Sequence, residues 1–354
     1  MPAISIDTFF ACSLMVLLVL SAMASASKLL YPHINAMDTN TAERYESVSK
    51  YLLLNDGTPS NWGQNYQVIP ENFGLAKTGS DNPYELDIDK VSRLNNENLY
   101  AVSHPQIFTA LGMFDVSFRI EVEPIFEAAL NLTATFEGAN ETSYTFEILT
   151  EKQGVPVQAE LKFYVVAENY LETSPTCVSS GRTHLNTTIS NDVNGPALLV
   201  VFATSVSNAK VVSFSAYPFA HNSTEPKPED RFLKLSPLNY KLNVSLIYPE
   251  TNLSDAYALS FNYSSTLTQT ANNSQSATYN IPHFLDPSPT LIVVTGWNST
   301  SFFTEWTAYP QIPLQTGMDF ASSATLSNVF AYTYLVTIDS TLYKCTIWLG
   351  GPRE

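Results

Sequence analysis

The chain has 354 residues, with 33 acidic against 17 basic side chains and a formal net charge of −16 at pH 7. That length holds two or three domains, and the acidic balance excludes nucleic acid as a partner, because phosphate binding needs a basic patch. Charged residues make up only 14% of the chain, while 19 Tyr and 20 Phe suit pleated, half-buried surfaces.

The chain opens with MPAISID and then an uncharged apolar run from Thr8 to Ser27. Twenty helical residues rise about 30 Å, the thickness of a bilayer core. Two readings stand. In one, the run is a secretory signal cleaved after Ala24-Ser25-Ala26. In the other it stays, and a long N-terminal helix continues to residue 55 through Leu29, Leu30, Ile34, Met37, Ala42, Tyr45, Val48, Tyr51 and Leu52. A third outcome, an intact Met1, would make the run a simple membrane anchor.

Residues 56–114 read as a linker with short elements. Asp87 is placed to N-cap a short helix whose Val91 and Leu94 face a core. HPQIFTALGMF reads as a second short helix ending at Gly112. The acid pairs Asp87/Asp89 and Glu121/Glu123 read as solvated faces. A calcium site around Asp81, Asp87 and Asp89 has no EF-hand pattern behind it.

From residue 115 the pattern alternates with period two, in strands about ten residues apart, which predicts β-sandwich folding. The Pro-rich charged stretch 222–231 marks a boundary between a sandwich over 115–225 and a second β-rich domain over 226–354. A weak internal repeat aligns the segment from Pro196 with the segment from Pro289. Each gives an apolar strand, a polar turn, an aromatic strand and Tyr-Pro. The chain closes in a predicted hairpin turning at Asp339-Ser340.

Nine N-x-S/T sequons, at Asn131, Asn140, Asn186, Asn222, Asn243, Asn252, Asn262, Asn272 and Asn298, are candidate glycosylation sites. Cys177 and Cys345 are candidates for a disulfide in an oxidising exterior. Trp297, Phe302, Phe303, Trp306 and Tyr309 read either as a sugar- or partner-binding face or as cross-strand packing. The five histidines form no metal motif, and no nucleophile elbow or nucleotide loop is present. The reading is therefore of a protein without catalytic residues, metal or cofactor.

Three stretches carry family resemblances. AISID before an uncharged helix resembles the mature N-terminus of archaeal type IV pilin-like surface proteins. The elements Pro59-Asn61-Trp62, Gly74-Leu75-Ala76 and Leu86-Asp87, Lys90, Val91, Leu94, Asn95 resemble their linker, and the closing hairpin resembles their end. This implies cleavage before Ala3 and an assembly acid at Asp7. It also implies a subunit of a cell-surface filament that meets copies of itself, or other pilin-like subunits, through the helix. Gly154, Pro156, Val157, Ala159 and Leu161, and the turn Asp192, Asn194, Gly195, resemble immunoglobulin-like adhesion domains. That implies the alternative of a membrane-anchored or secreted adhesion protein meeting glycans or other cell-surface partners. Either way the expected fold is a long N-terminal helix followed by a mostly-β body of two immunoglobulin-like sandwiches at the cell surface.

Overall fold

The computed structural model describes residues 15, 19, 23, 40–223, 226, 232–320 and 326–352. It is a β-rich body built from a base unit and two β-sandwiches. The base is discontinuous in sequence. Its sheet is ordered Glu85–Leu86, Leu326–Ile338, Thr341–Pro352, Ser117–Pro124 and Leu314–Gly317. The chain leaves this sheet at Pro124 and returns at Leu314, so both sandwiches are an insertion between two neighbouring strands.

The expectation of a long N-terminal helix is corrected. Among the described residues, helix covers 40–54 and residues 15, 19 and 23, while most of the apolar run 8–27 lies outside the described residues. Among the described residues, no helix is long and apolar enough to cross a membrane. The physical reason lies in what the amphipathic face meets. Tyr45, Ser49, Leu52 and Leu53 are buried at helical spacing in the core of the base sheet. Ser49 Oγ lies 2.6 Å from the Tyr334 hydroxyl, and the Tyr332 hydroxyl donates to the Ala42 carbonyl at 2.6 Å. Residues 40–54 are thus one layer of a compact β unit. Ala3 and Asp7 lie outside the described residues.

The short elements match the sequence closely. Asp87 accepts from the amides of Asp89 and Lys90 and caps helix Ile88–Ser92, while Val91 and Leu94 are buried. Helix His104–Leu111 ends at Gly112 in the left-handed conformation. The closing hairpin turns at Asp339 and Ser340, both at positive φ, and pairs Ile338 with Thr341.

The two sandwiches share one topology. In the first, strands Glu127–Glu137, Glu141–Lys152 and Arg182–Ser190 face a sheet ordered Val212–Phe219, Ala197–Ser205, Ala159–Ala167, Tyr170–Thr173. In the second, Leu233–Leu238, Lys241–Leu246 and Ser276–Asn280 face a sheet ordered Ser301–Tyr309, Thr290–Asn298, Thr251–Leu259, Ser264–Thr266. The repeat noted in the sequence supplies equivalent strand pairs in the two. The segment expected as one domain over 226–354 divides, since Leu314–Gly317 and the closing hairpin belong to the base.

The latter sheet of each sandwich docks face to face on the other, so the sandwiches form four stacked layers. Leu199 and Val201 point into the first sandwich, while Leu198, Val200 and Phe202 point out of it. Ile292 and Val294 point into the second, while Leu291 and Val293 meet the first across the docking face. Strands covered on both faces read as continuous apolar runs, as in ALLVVFA and LIVV. The Tyr164 hydroxyl donates across this face to the Ser260 carbonyl at 2.9 Å. Gly195 lets the chain enter the first of these strands close to its neighbour, since a Cβ there would lie 2.3 Å from the His221 carbonyl oxygen.

Candidate binding cleft at the junction of three units

The residues of helix Ile88–Ser92 and its flank hold the base together and join it to the second sandwich. Lys90 is fully buried, and its ammonium donates to the carbonyls of Asp56 and Ala76 at 2.8 and 2.7 Å. Burial pushes the Lys90 amine down from its ordinary value. Arg93 donates to the carbonyls of Trp62, Asn65, Val68, Tyr66 and Tyr100. Burial lowers its guanidinium to about 10, opposed by the charge of Asp89. These two cations replace water for loop carbonyls that no strand partner reaches.

Asp89, read from the sequence as part of a solvated face, is only 2% exposed. Its Oδ1 accepts from the Tyr309 hydroxyl and from the Asn239 amide, each at 2.7 Å. Burial pushes its carboxyl up to about 6, against the pull of those two hydrogen bonds. Next to it, Asn98 donates to the carbonyl of Pro237 at 3.1 Å and to Gln311 Oε1 at 2.7 Å. The Leu99 amide donates to Ser236 Oγ at 2.9 Å. The junction is therefore polar and held by paired groups, with the buried Ser92 hydroxyl of the same helix left without a partner, unlike the apolar face between the sandwiches. Glu121, also expected as solvated, is half-buried and accepts from Trp348 Nε1 at 2.9 Å and from Arg119. Among the described residues no group of three or more acidic, His or Cys side chains is placed to hold a metal, and Asp89 of the Asp81, Asp87, Asp89 grouping is turned to Tyr309 and Asn239.

Where the three units meet, a cleft of about 320 Å³ opens. Phe214 and Ala216 come from the first sandwich, Trp306 and Ala308 from the second, and Asn95 and Glu97 from the base. The Phe214 and Trp306 side chains lie on edge strands at the rim of the docking face, and both remain partly exposed. Gln311 closes one wall, with its Nε2 donating to Thr307 Oγ1 at 3.1 Å and its Oε1 held by Asn98. The other clustered aromatics divide differently. Phe302, Phe303 and Tyr309 are buried, and Trp297 packs edge-on against Phe302. The signal that the sequence held for Asp89, Trp306 and Gln311 was residue type alone. Asp89 meets Tyr309 and Gln311 meets Asn98 across more than two hundred residues.

All nine sequons fall within the inserted sandwiches. Asn131, Asn140, Asn186, Asn222, Asn252, Asn262 and Asn272 are exposed, while Asn243 and Asn298 are half-buried. The Asn243 amide donates to the Tyr100 hydroxyl at 3.0 Å, and Asn298 Oδ1 accepts from Thr251 at 3.2 Å. The disulfide expected between Cys177 and Cys345 is not formed, and both are free thiols. The reason is placement: Cys177 is exposed on an edge strand of the first sandwich, while Cys345 is buried in the base core.

Comparison with protein families and with curated sequences finds no match. Among solved structures, HBP35 of Porphyromonas gingivalis aligns at 13% identity and a TM-score of 0.19, over 54% of this chain and 64% of that one. The paired C2 domains of Extended-Synaptotagmin 2 align at 10% identity and a TM-score of 0.15, over 68% and 91%. Likenesses of this size carry no argument about function.

Proposed function

We propose that this chain is a non-catalytic surface protein whose base unit is its point of attachment and whose paired sandwiches are displayed outward for adhesion or binding. One observation carries the reading. Every sequon lies between Asn131 and Asn298, within the insertion that begins after Pro124 and ends before Leu314, and seven of the nine side chains are exposed. A glycan needs a solvated asparagine in an exported segment, and this arrangement would coat the displayed body while leaving the base bare. Protease treatment of intact cells tests it. Loss of peptides from 125–313 with retention of base peptides in the envelope is expected, and full protection of 125–313 until lysis would refute it.

A second reading, a subunit of a surface filament, is favoured by two side chains on helix 40–54. Tyr51 and Leu54 remain about half exposed on the base, a surface suited to a neighbouring copy. The pilin-like linker elements and closing hairpin add to it. Electron microscopy of surface preparations separates the two, since filaments that vanish with the Tyr51→Ser/Leu54→Ser variant would favour the subunit.

A further inference from the structure

We propose that the three-unit cleft is a saccharide site, taking one or two pyranose rings of a neutral sugar. Its volume of about 320 Å³ is at the lower end of small-molecule sites, roughly 300–1,000 Å³. The rim supplies what a pyranose needs. Trp306 and Phe214 are partly exposed aromatic side chains that line the cleft at the edge of the docking face, and an aromatic ring is a surface against which the C–H face of a sugar packs while its hydroxyls stay at the edge. Around them stand groups that pair with hydroxyls, namely the Gln311 amide, the Asn95 amide, the Thr307 hydroxyl and the Glu97 carboxylate. Gln311 is 5% exposed and fixed from both sides by Asn98 and Thr307, so it lines the cleft as a rigid support.

Charge selects within the sugars. The chain carries −16, and among the described residues the cleft lining includes Glu97 and no Lys or Arg. A uronate, sialic acid or sulfated sugar would meet repulsion with no cation to offset it. Because each of the three units contributes part of the lining, the cleft is built only when both sandwiches and the base are in place. Sugar binding at this cleft needs the assembled body, wherever in the cell it resides.

The test uses the full chain titrated with glucose, galactose, mannose, N-acetylglucosamine and their β- and α-linked disaccharides, with glucuronate as the charged comparison. Binding is read by calorimetry and tryptophan fluorescence. At least one neutral sugar is expected to bind and glucuronate to bind more weakly. Glu97→Ala, on an exposed side chain, should weaken binding without changing the melting temperature. Trp306→Ala should weaken it by about thirtyfold, the scale of an aromatic anchor. Because Trp306 also borders the docking face, Trp306→Phe serves as a second variant that keeps the packing and should retain partial binding. Absence of binding by every neutral sugar, preference for glucuronate, or unchanged binding in folded Trp306→Ala would each overturn the proposal.

Discussion

Tyr309 donates its hydroxyl to Asp89 at 2.7 Å, joining the last strand of the second sandwich to the capped helix of the base. This bond lies in the interior of a junction whose other members, the Asn239 amide and the Asn98 side chain, are also paired. It fixes where the insertion stands on its base, and it places a carboxylate where water does not reach.

Asp89→Asn should stabilise the protein at neutral pH. The folded carboxyl is pushed up to about 6 from an ordinary value of 3.8. The folded state therefore holds the proton more tightly, and the stability this group contributes is greatest below the unfolded value and is lost as pH rises through 6. The loss across that window is at most about 3 kcal/mol. An asparagine keeps the oxygen that accepts from Tyr309 and Asn239 but carries no charge. Urea unfolding of both proteins between pH 4 and 8 should show their difference growing with pH in the variant's favour.

Arg93→Ala should cost about 3–5 kcal/mol, because it removes a buried cation that donates to the buried Trp62 carbonyl and to four part-buried loop carbonyls. Arg93→Lys should recover little, since one ammonium cannot reach the five carbonyls that the planar fork serves. Thermal melts of the two variants decide this, and a loss under about 1 kcal/mol for alanine would contradict the assigned role.

The sandwich docking face predicts a graded pair of effects. Tyr164→Phe removes one bond to Ser260 and should cost about 1 kcal/mol. Leu198→Asp places a charge among Val200, Val293 and Leu291 and should cost more than about 3 kcal/mol. Calorimetry of the second variant should show the transition splitting as the sandwiches unfold separately.

The two thiols should differ sharply in reactivity. Cys177 is exposed, whereas Cys345 is fully buried and its thiol is pushed up to about 12 by burial. Native maleimide labelling followed by peptide mapping should find adduct at Cys177 and none at Cys345. Reducing agent should leave the melting temperature unchanged.

Much of the local structure was legible in the residues. Asp87 before a short apolar pattern, Gly112 after one and Asp339-Ser340 between two alternating runs each determine backbone geometry within a few positions. The runs ALLVVFA and LIVV read as apolar strands, but an apolar strand does not name the partner on its second face. That partner proved to be the other sandwich. The closing hairpin pairs with Ser117–Pro124, over two hundred residues earlier, and nothing in its own alternation points there. Helix 40–54 carried the pattern of a longer rod, yet Tyr45, Leu52 and Leu53 are spent on the base core. Asp89 looked solvated because acids in short helices usually are. Its burial follows from Tyr309, a residue 220 positions away.

Cys177 provides the most direct test of outward display, since it is an exposed thiol on the inserted body. Intact cells would be treated with a membrane-impermeant maleimide and the protein mapped by mass spectrometry. Display predicts modification of Cys177 before lysis, at the level seen with purified protein. Modification that appears only after the cells are broken open would contradict it.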